Sequence, residues 1–225
     1  GLHFVMPDKG WLRAMVNVSG TTSLDWFVSQ FCTVEMAAAS SDSDLYMRLE
    51  ALAGQSTVGA NGVLYLPYLS AQGITAPFAE PTARAEFFGL TDKHTRADML
   101  RALYEGLALS IRDGYAVMDA PVVTLYLSGG GAKSRFWSQM IADCTGKNVV
   151  IPHGSEFGAK GAARLAMSAL GWFSSITDAV QATQGEQRLF YPNSHVTSTY
   201  DEVYATYCAL RNGLRTIWQE AARRR

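Results

Sequence analysis

Six consecutive residues, Gly129-Gly130-Gly131-Ala132-Lys133-Ser134, bring together the groups that hold a polar or anionic ligand. Three glycines leave backbone without Cβ atoms, so a flat ligand can approach it closely. Ser134 can cap a following helix, whose first N–H groups and positive dipole end favour an anion or a polar ligand edge. The outline is that of a nucleotide site, but neither of two common nucleotide motifs is present. In the dinucleotide fingerprint Ser134 stands where the third glycine belongs, and no acidic residue follows at the required spacing of about 20. In the P-loop the order Gly-Lys-Ser is obligatory, and here Ala132 separates Gly131 from Lys133.

The elements around the turn are legible too. Residues 122–127 are a β-rich apolar run after Pro121, and Phe136, Trp137, Met140, Ile141 and Cys144 recur at helical spacing. Further back, 1–6 and 11–18 read as a hairpin turning at 7–10. Ser19-Gly20-Thr21-Thr22-Ser23 then opens a helix with the stripe Leu24, Phe27, Val28 and Phe31. Ser41 to Asp44 precede a second helical run through Leu45, Leu49 and Leu52, the aspartates suiting the helix dipole. Residues 63–69 form an apolar strand shortened by Pro67, and 71–84 read as loop.

Thr95 and Asp98 have capping-box spacing ahead of a helix carrying Leu100, Leu103, Tyr104, Leu107, Ile111, Tyr115 and Met118 on one face. Gly106 and Gly114 inside it cost about 1 kcal/mol each relative to Ala, which close backbone packing would explain. Glu105 reads as a solvated or structurally paired carboxylate rather than a catalytic acid. Residues 148–151 form a strand stopped by Pro152, and Ser155 is placed to cap the next helix. There Gly158, Ala159, Gly161, Ala162 and Ala163 read as a packing face of small residues. A last amphipathic helix is predicted over about 201–222, with Val203, Tyr207, Leu210, Leu214, Ile217 and Trp218 on its apolar side.

Composition narrows the classes of function. The 225 residues are 48% hydrophobic and 17% charged, with a formal net charge of −1. That is a globular chain without a basic field for nucleic acid. Cys32, Cys144 and Cys208 are odd in number and scattered, as are His3, His94, His153 and His195, so neither a disulfide framework nor a protein-built metal site is expected. No apolar run reaches membrane-spanning length, and a cytoplasmic location is the expectation.

The stretch Leu127-Ser-Gly-Gly-Gly-Ala-Lys-Ser-Arg-Phe-Trp-Ser-Gln-Met-Ile-Ala-Asp-Cys-Thr-Gly-Lys-Asn-Val-Val-Ile-Pro152 resembles the C-terminal domain of the FGGY family of carbohydrate kinases. So do Gly158-Ala-Lys-Gly-Ala-Ala-Arg-Leu-Ala166, Leu66-Pro-Tyr-Leu-Ser70, Phe87-Phe-Gly-Leu-Thr91 and His94-Thr-Arg-Ala-Asp-Met-Leu-Arg-Ala-Leu-Tyr-Glu-Gly106, in family order. The resemblance implies an α/β fold: a ribonuclease-H-like domain of the actin/hexokinase superfold, with a mixed sheet flanked by helices. It implies that residues 1–225 are a C-terminal nucleotide-binding domain, incomplete at its N-terminal end, lacking a sugar-binding and catalytic N-terminal domain. The implied reaction is phosphorylation of a sugar or polyol by ATP with Mg2+, and the fragment alone is expected to be inactive.

By the same resemblance, Gly129, Gly130, Gly131, Ser134 and Lys133 form the adenosine wall. Gly130 and Gly131 would lie against the adenine plane, Ser134 would bond the base edge or cap the helix, and Lys133 would reach phosphate or remain solvated. Gly20 and Thr21 would present N–H groups to phosphate or ribose, with Asp25 one turn further in. No catalytic residue carries over, because the family's base lies in the N-terminal domain. That domain and a small-molecule sugar or polyol are the implied partners; the oligomeric state is open, a homodimer being one option. Xylulokinase-like relatives carry Gly-Glu-Arg-Thr-Pro after the Leu-Ser, whereas this chain reads Ala71-Gln72-Gly73-Ile74-Thr75-Ala76-Pro77; the absent charged pair argues against close substrate similarity to ordinary xylulokinases, and pentuloses and small polyols both stay open. Two rival readings share the fold: a non-catalytic actin-like interaction domain, and a nucleotide hydrolase.

Overall fold

The computed structural model describes residues 2–6, 10–17, 19–118 and 121–224. Strands β1 (Leu2–Val5) and β2 (Trp11–Ala14) form an antiparallel hairpin with Leu2 opposite Ala14 and Val5 opposite Trp11. The hairpin is as expected; its turn at Pro7, Asp8 and Lys9 lies outside the described residues, as do Gly1 and Val18. Helices α1 (Gly20–Phe31), α2 (Thr33–Ala38) and α3 (Asp42–Ala53) follow. Leu24, Phe27 and Val28 of α1 are buried, whereas Phe31 at its end is 40% exposed and leans on the Phe27 ring. The Ser41 hydroxyl caps α3 by accepting from the Asp44 amide.

Strand β3 (Leu64–Leu66) pairs antiparallel with β4 (Glu86–Phe88), and among the described residues no other strand joins this pair. Pro67 ends β3, as its missing N–H requires. All three β3 residues are nonetheless buried, because α4 (Arg96–Ala116) lies across them. The capping box forms: Asp98 accepts from the Thr95 amide at 2.8 Å and also from Ser56 and Asn61, each at 2.7 Å. Gly106 is the point of closest approach, since a Cβ there would run into the Tyr65 carbonyl of β3. Gly114 departs from expectation. A Cβ on it would meet only the Met15 side chain at an ordinary 3.8 Å, so no close packing requires the glycine. Helix α4 ends at Ala116, leaving Met118 in a turn beyond it.

The third sheet is mixed. Strands β5 (Thr124–Tyr126) and β6 (Asn148–Pro152) run parallel, joined through α5 (Arg135–Thr145), while β7 (Gln187–Phe190) returns antiparallel to β6. A parallel pair needs such a crossover, and here the helix supplies it. Strand β5 is shorter than the apolar run 122–127, although Val123 and Leu127 each keep one bond to the β6 side. The mixed sheet with flanking helices is thus present, and the seven strands described divide among three small sheets.

Two expectations about α6 (Phe157–Ala169) fail. Glu156, not Ser155, occupies its N-cap, and neither side chain caps it: Ser155 instead accepts through its carbonyl from the Phe157 amide. Among the described residues the small-residue face packs against nothing, because no residue of α6 is buried and nothing lies within 4 Å of a Cβ on Gly158 or Gly161. After α7 (Ile176–Ala182), α8 runs Ser194–Arg223, a turn or more longer than predicted, because Asn193 caps it by accepting from the His195 amide. Tyr207 and Trp218 are buried on it; Ile217 is 58% exposed.

Candidate functional site

Strand β5 delivers the chain to Gly129, whose φ of +88° is a left-handed conformation that glycine adopts freely. A single 3-10 turn, Gly130–Lys133, follows, and Ser134 then starts α5. The Ser134 hydroxyl accepts from the Trp137 amide at 2.8 Å, so the cap is realised in full. The three glycines do different things. Gly129 and Gly130 face open space, where a Cβ would meet nothing within 4 Å. Gly131 rests on the Trp137 indole, into which a Cβ would run, so in this structure its bare backbone accommodates Trp137.

Gly129, Gly130 and Lys133 line a cavity of about 520 Å3. Its opposite wall is the turn after β6, with His153, Gly154 and Ser155, and Arg188 of β7 closes one side. Arg188 donates from Nη2 to the Ala132 carbonyl at 2.9 Å. His153 and Arg188 were not singled out in the sequence. The turn at Pro152-His153-Gly154, with Gly154 at φ +114°, is a signal that could have drawn attention to the first. For Arg188 there is none, since only β6–β7 pairing brings it here.

Gly20, Thr21 and Asp25 stand apart from this cavity, none of them lining it. They occupy the first turns of α1, with Thr21 and Asp25 exposed. The α1 N-cap, Ser19, does not cap through its side chain; its hydroxyl accepts from the Ser70 amide at 2.8 Å, which ties the helix start to the chain leaving β3.

Glu105 is a structural group, as expected of a paired carboxylate. It is 2% exposed and accepts from Arg101 Nε at 2.8 Å, the Tyr200 hydroxyl at 3.0 Å and the Gly59 amide at 3.1 Å. Burial pushes its carboxyl above the ordinary value, against the pull of Arg101 and these hydrogen bonds. Among the described residues no three His, Cys, Asp or Glu side chains converge on a point where they could hold a metal ion, and no helix is long and apolar enough to cross a membrane.

The sequence that builds this open glycine turn, between a parallel strand and a capped helix, has known relatives. Residues 3–170 match the C-terminal domain of the FGGY family of carbohydrate kinases. The chain belongs to this family. A xylulose kinase of Staphylococcus epidermidis (strain ATCC 12228 / FDA PCI 1200) is 32% identical over 208 residues, covering 91% of this chain and 40% of the relative. An erythritol kinase of Brucella abortus (strain 2308) is 28% identical over 229 residues, covering 99% of this chain and 43% of the relative. The ligand-bound crystal structure of a xylulose kinase from Lactobacillus acidophilus superposes with a TM-score of 0.77 at 26% identity, over 90% of this chain and 39% of that one. The chain therefore spans about two fifths of the curated family members it matches.

Proposed function

We propose that residues 1–225 form the nucleotide-binding C-terminal domain of a kinase that transfers a phosphoryl group from ATP to a hydroxyl of a sugar or polyol. The observation that carries this reading is the open backbone of Gly129–Gly130 on a cavity of about 520 Å3, in a chain of the FGGY family. Phosphoryl transfer asks the protein mainly for positioning and charge stabilisation, and this domain contributes the positioning of the donor. The residues present fit the nucleoside: side-chain-free backbone offers it a flat face, Ser134 and Trp137 hold that face in place, and Lys133, which lines the cavity, would reach phosphate. Gly20 and Thr21, with Asp25, would meet the nucleotide from α1. Mg2+ would be held by the nucleotide's phosphates and water, as hard cations of this size usually are.

No group in this cavity is assigned as the base. The acceptor, the base and most acceptor contacts belong to an N-terminal domain of the same protein. Three features support its presence: the outer edges of β1 and β5, unpaired among the described residues, the exposed small-residue face of α6, and family members about two and a half times as long. The three free cysteines suit a reducing compartment, and we place the protein in the cytoplasm.

The test is ATP turnover by the full-length protein against a panel of ketoses and polyols. Turnover that depends on one acceptor supports the kinase and identifies its substrate. Hydrolysis indifferent to every acceptor would instead make the protein a nucleotide hydrolase, and no turnover with any of them would make it an interaction domain.

A further inference from the structure

Arg188 sits on β7, and β6 separates it from β5 and the glycine turn. It is opposite Ile151 in the antiparallel register, so its side chain crosses β6 to reach Ala132. The hydrogen bond there completes the turn. Within the turn the Gly129 carbonyl accepts from the Ala132 amide at 3.3 Å and the Gly131 carbonyl from the Ser134 amide at 3.2 Å. The Ala132 carbonyl has its donor in Arg188, and a charged donor makes the stronger bond. The turn is held from two sides, by the Trp137 ring against Gly131 and by the Arg188 guanidinium on Ala132.

We propose that Arg188 is a positioning residue for nucleotide binding: a strap from β7 that keeps the Gly129–Lys133 backbone in its ligand-ready shape. The proposal rests on the nucleotide reading of this cavity. Glycine backbone has more conformational freedom to lose than any other, and ordering it at the moment of binding subtracts from affinity. A strap that orders the turn beforehand removes that cost. Because it acts through Ala132 on the face offered to the nucleoside, its loss weakens adenosine and ADP alike. A direct phosphate contact would weaken ADP only.

Calorimetric titration of the full-length protein with ADP, and separately with adenosine, tests this in the wild type, Arg188→Met and Arg188→Lys. The expected result is a loss of about tenfold in affinity for both ligands in Arg188→Met, the size of one charge-assisted hydrogen bond, with a far-UV circular dichroism spectrum that shows the fold intact. Arg188→Lys, which keeps a charged donor, recovers most of it. Unchanged affinities in Arg188→Met overturn the proposal, as does a loss confined to ADP. Wild-type protein that binds neither ligand overturns the nucleotide reading itself.

Discussion

Helices α4 and α6 both carry glycine and alanine at positions that suit close packing, and the structure uses them in opposite ways. In α4 thirteen residues are buried, and Gly106 touches the Tyr65 carbonyl of β3. In α6 none is buried, and its glycines face open space. The difference lies in what surrounds each helix. Helix α4 has strands and helices of this chain on several sides, with buried charges satisfied by their own neighbours. Helix α6 has a face prepared for close approach and nothing among the described residues against it. A small-residue face signals that something approaches, and says nothing about which part of the protein does so. On the proposed arrangement the second domain does.

The most disruptive way to break the α4 side is Glu105→Ala, which strands the Arg101 guanidinium and the Gly59 amide in the core; urea denaturation should show a loss of about 3–5 kcal/mol. Gly106→Ala should cost about 2–3 kcal/mol by overpacking against β3, whereas Gly114→Ala, where space is free, should stabilise by about 0.5–1 kcal/mol. On the α6 side, Ala162→Trp in the full-length protein should cost about 1–3 kcal/mol if a second domain covers the helix. A change within about 0.5 kcal/mol would mean that this face is solvated.

Glu80 sharpens the comparison from α8. It is buried and accepts from the Thr82 hydroxyl at 2.6 Å, Gln219 Nε2 at 2.7 Å and Arg215 Nε at 3.0 Å. These bonds, the one from Thr82 foremost, hold its carboxyl down at about 2. A carboxylate depressed in the folded state stabilises fully above its unfolded value of 4.5, and the contribution fades as pH falls from there toward about 2. Glu80→Gln should therefore cost about 1–2 kcal/mol at pH 7 and make the acid limb of stability shallower, read from urea midpoints between pH 7 and pH 3. The smallest contrast is between two serines: Ser134→Ala should lose about 1 kcal/mol with its cap, and Ser155→Ala should stay within about 0.5 kcal/mol of wild type.

Much of this was legible because it is local. The Ser134 cap, the Thr95–Asp98 capping box and the hairpin each depend on residues a few positions apart, and each formed as read. Ser155 misled because a good capping residue in the right place caps only if the backbone turns there, and the chain enters α6 at Glu156 instead. Strands β4 and β7 were missed because three or four residues carry too little alternation to announce a strand.

By itself, the sequence determined the longer helices but not the short α2 and α7, the glycine turn after β5, and, through its motifs, membership of a carbohydrate kinase family. Only the tertiary structure decided that Gly131 serves Trp137 while Gly129 and Gly130 stay open, and that the small-residue face of α6 lies uncovered among the described residues. It alone brought Arg188 to Ala132 across 56 residues and Glu105 to Tyr200 across 95. Caps and periodicities act within a turn or two of chain and are written into neighbouring residues. Pairings over such separations exist only once sheets and helices have packed, and no local pattern encodes them.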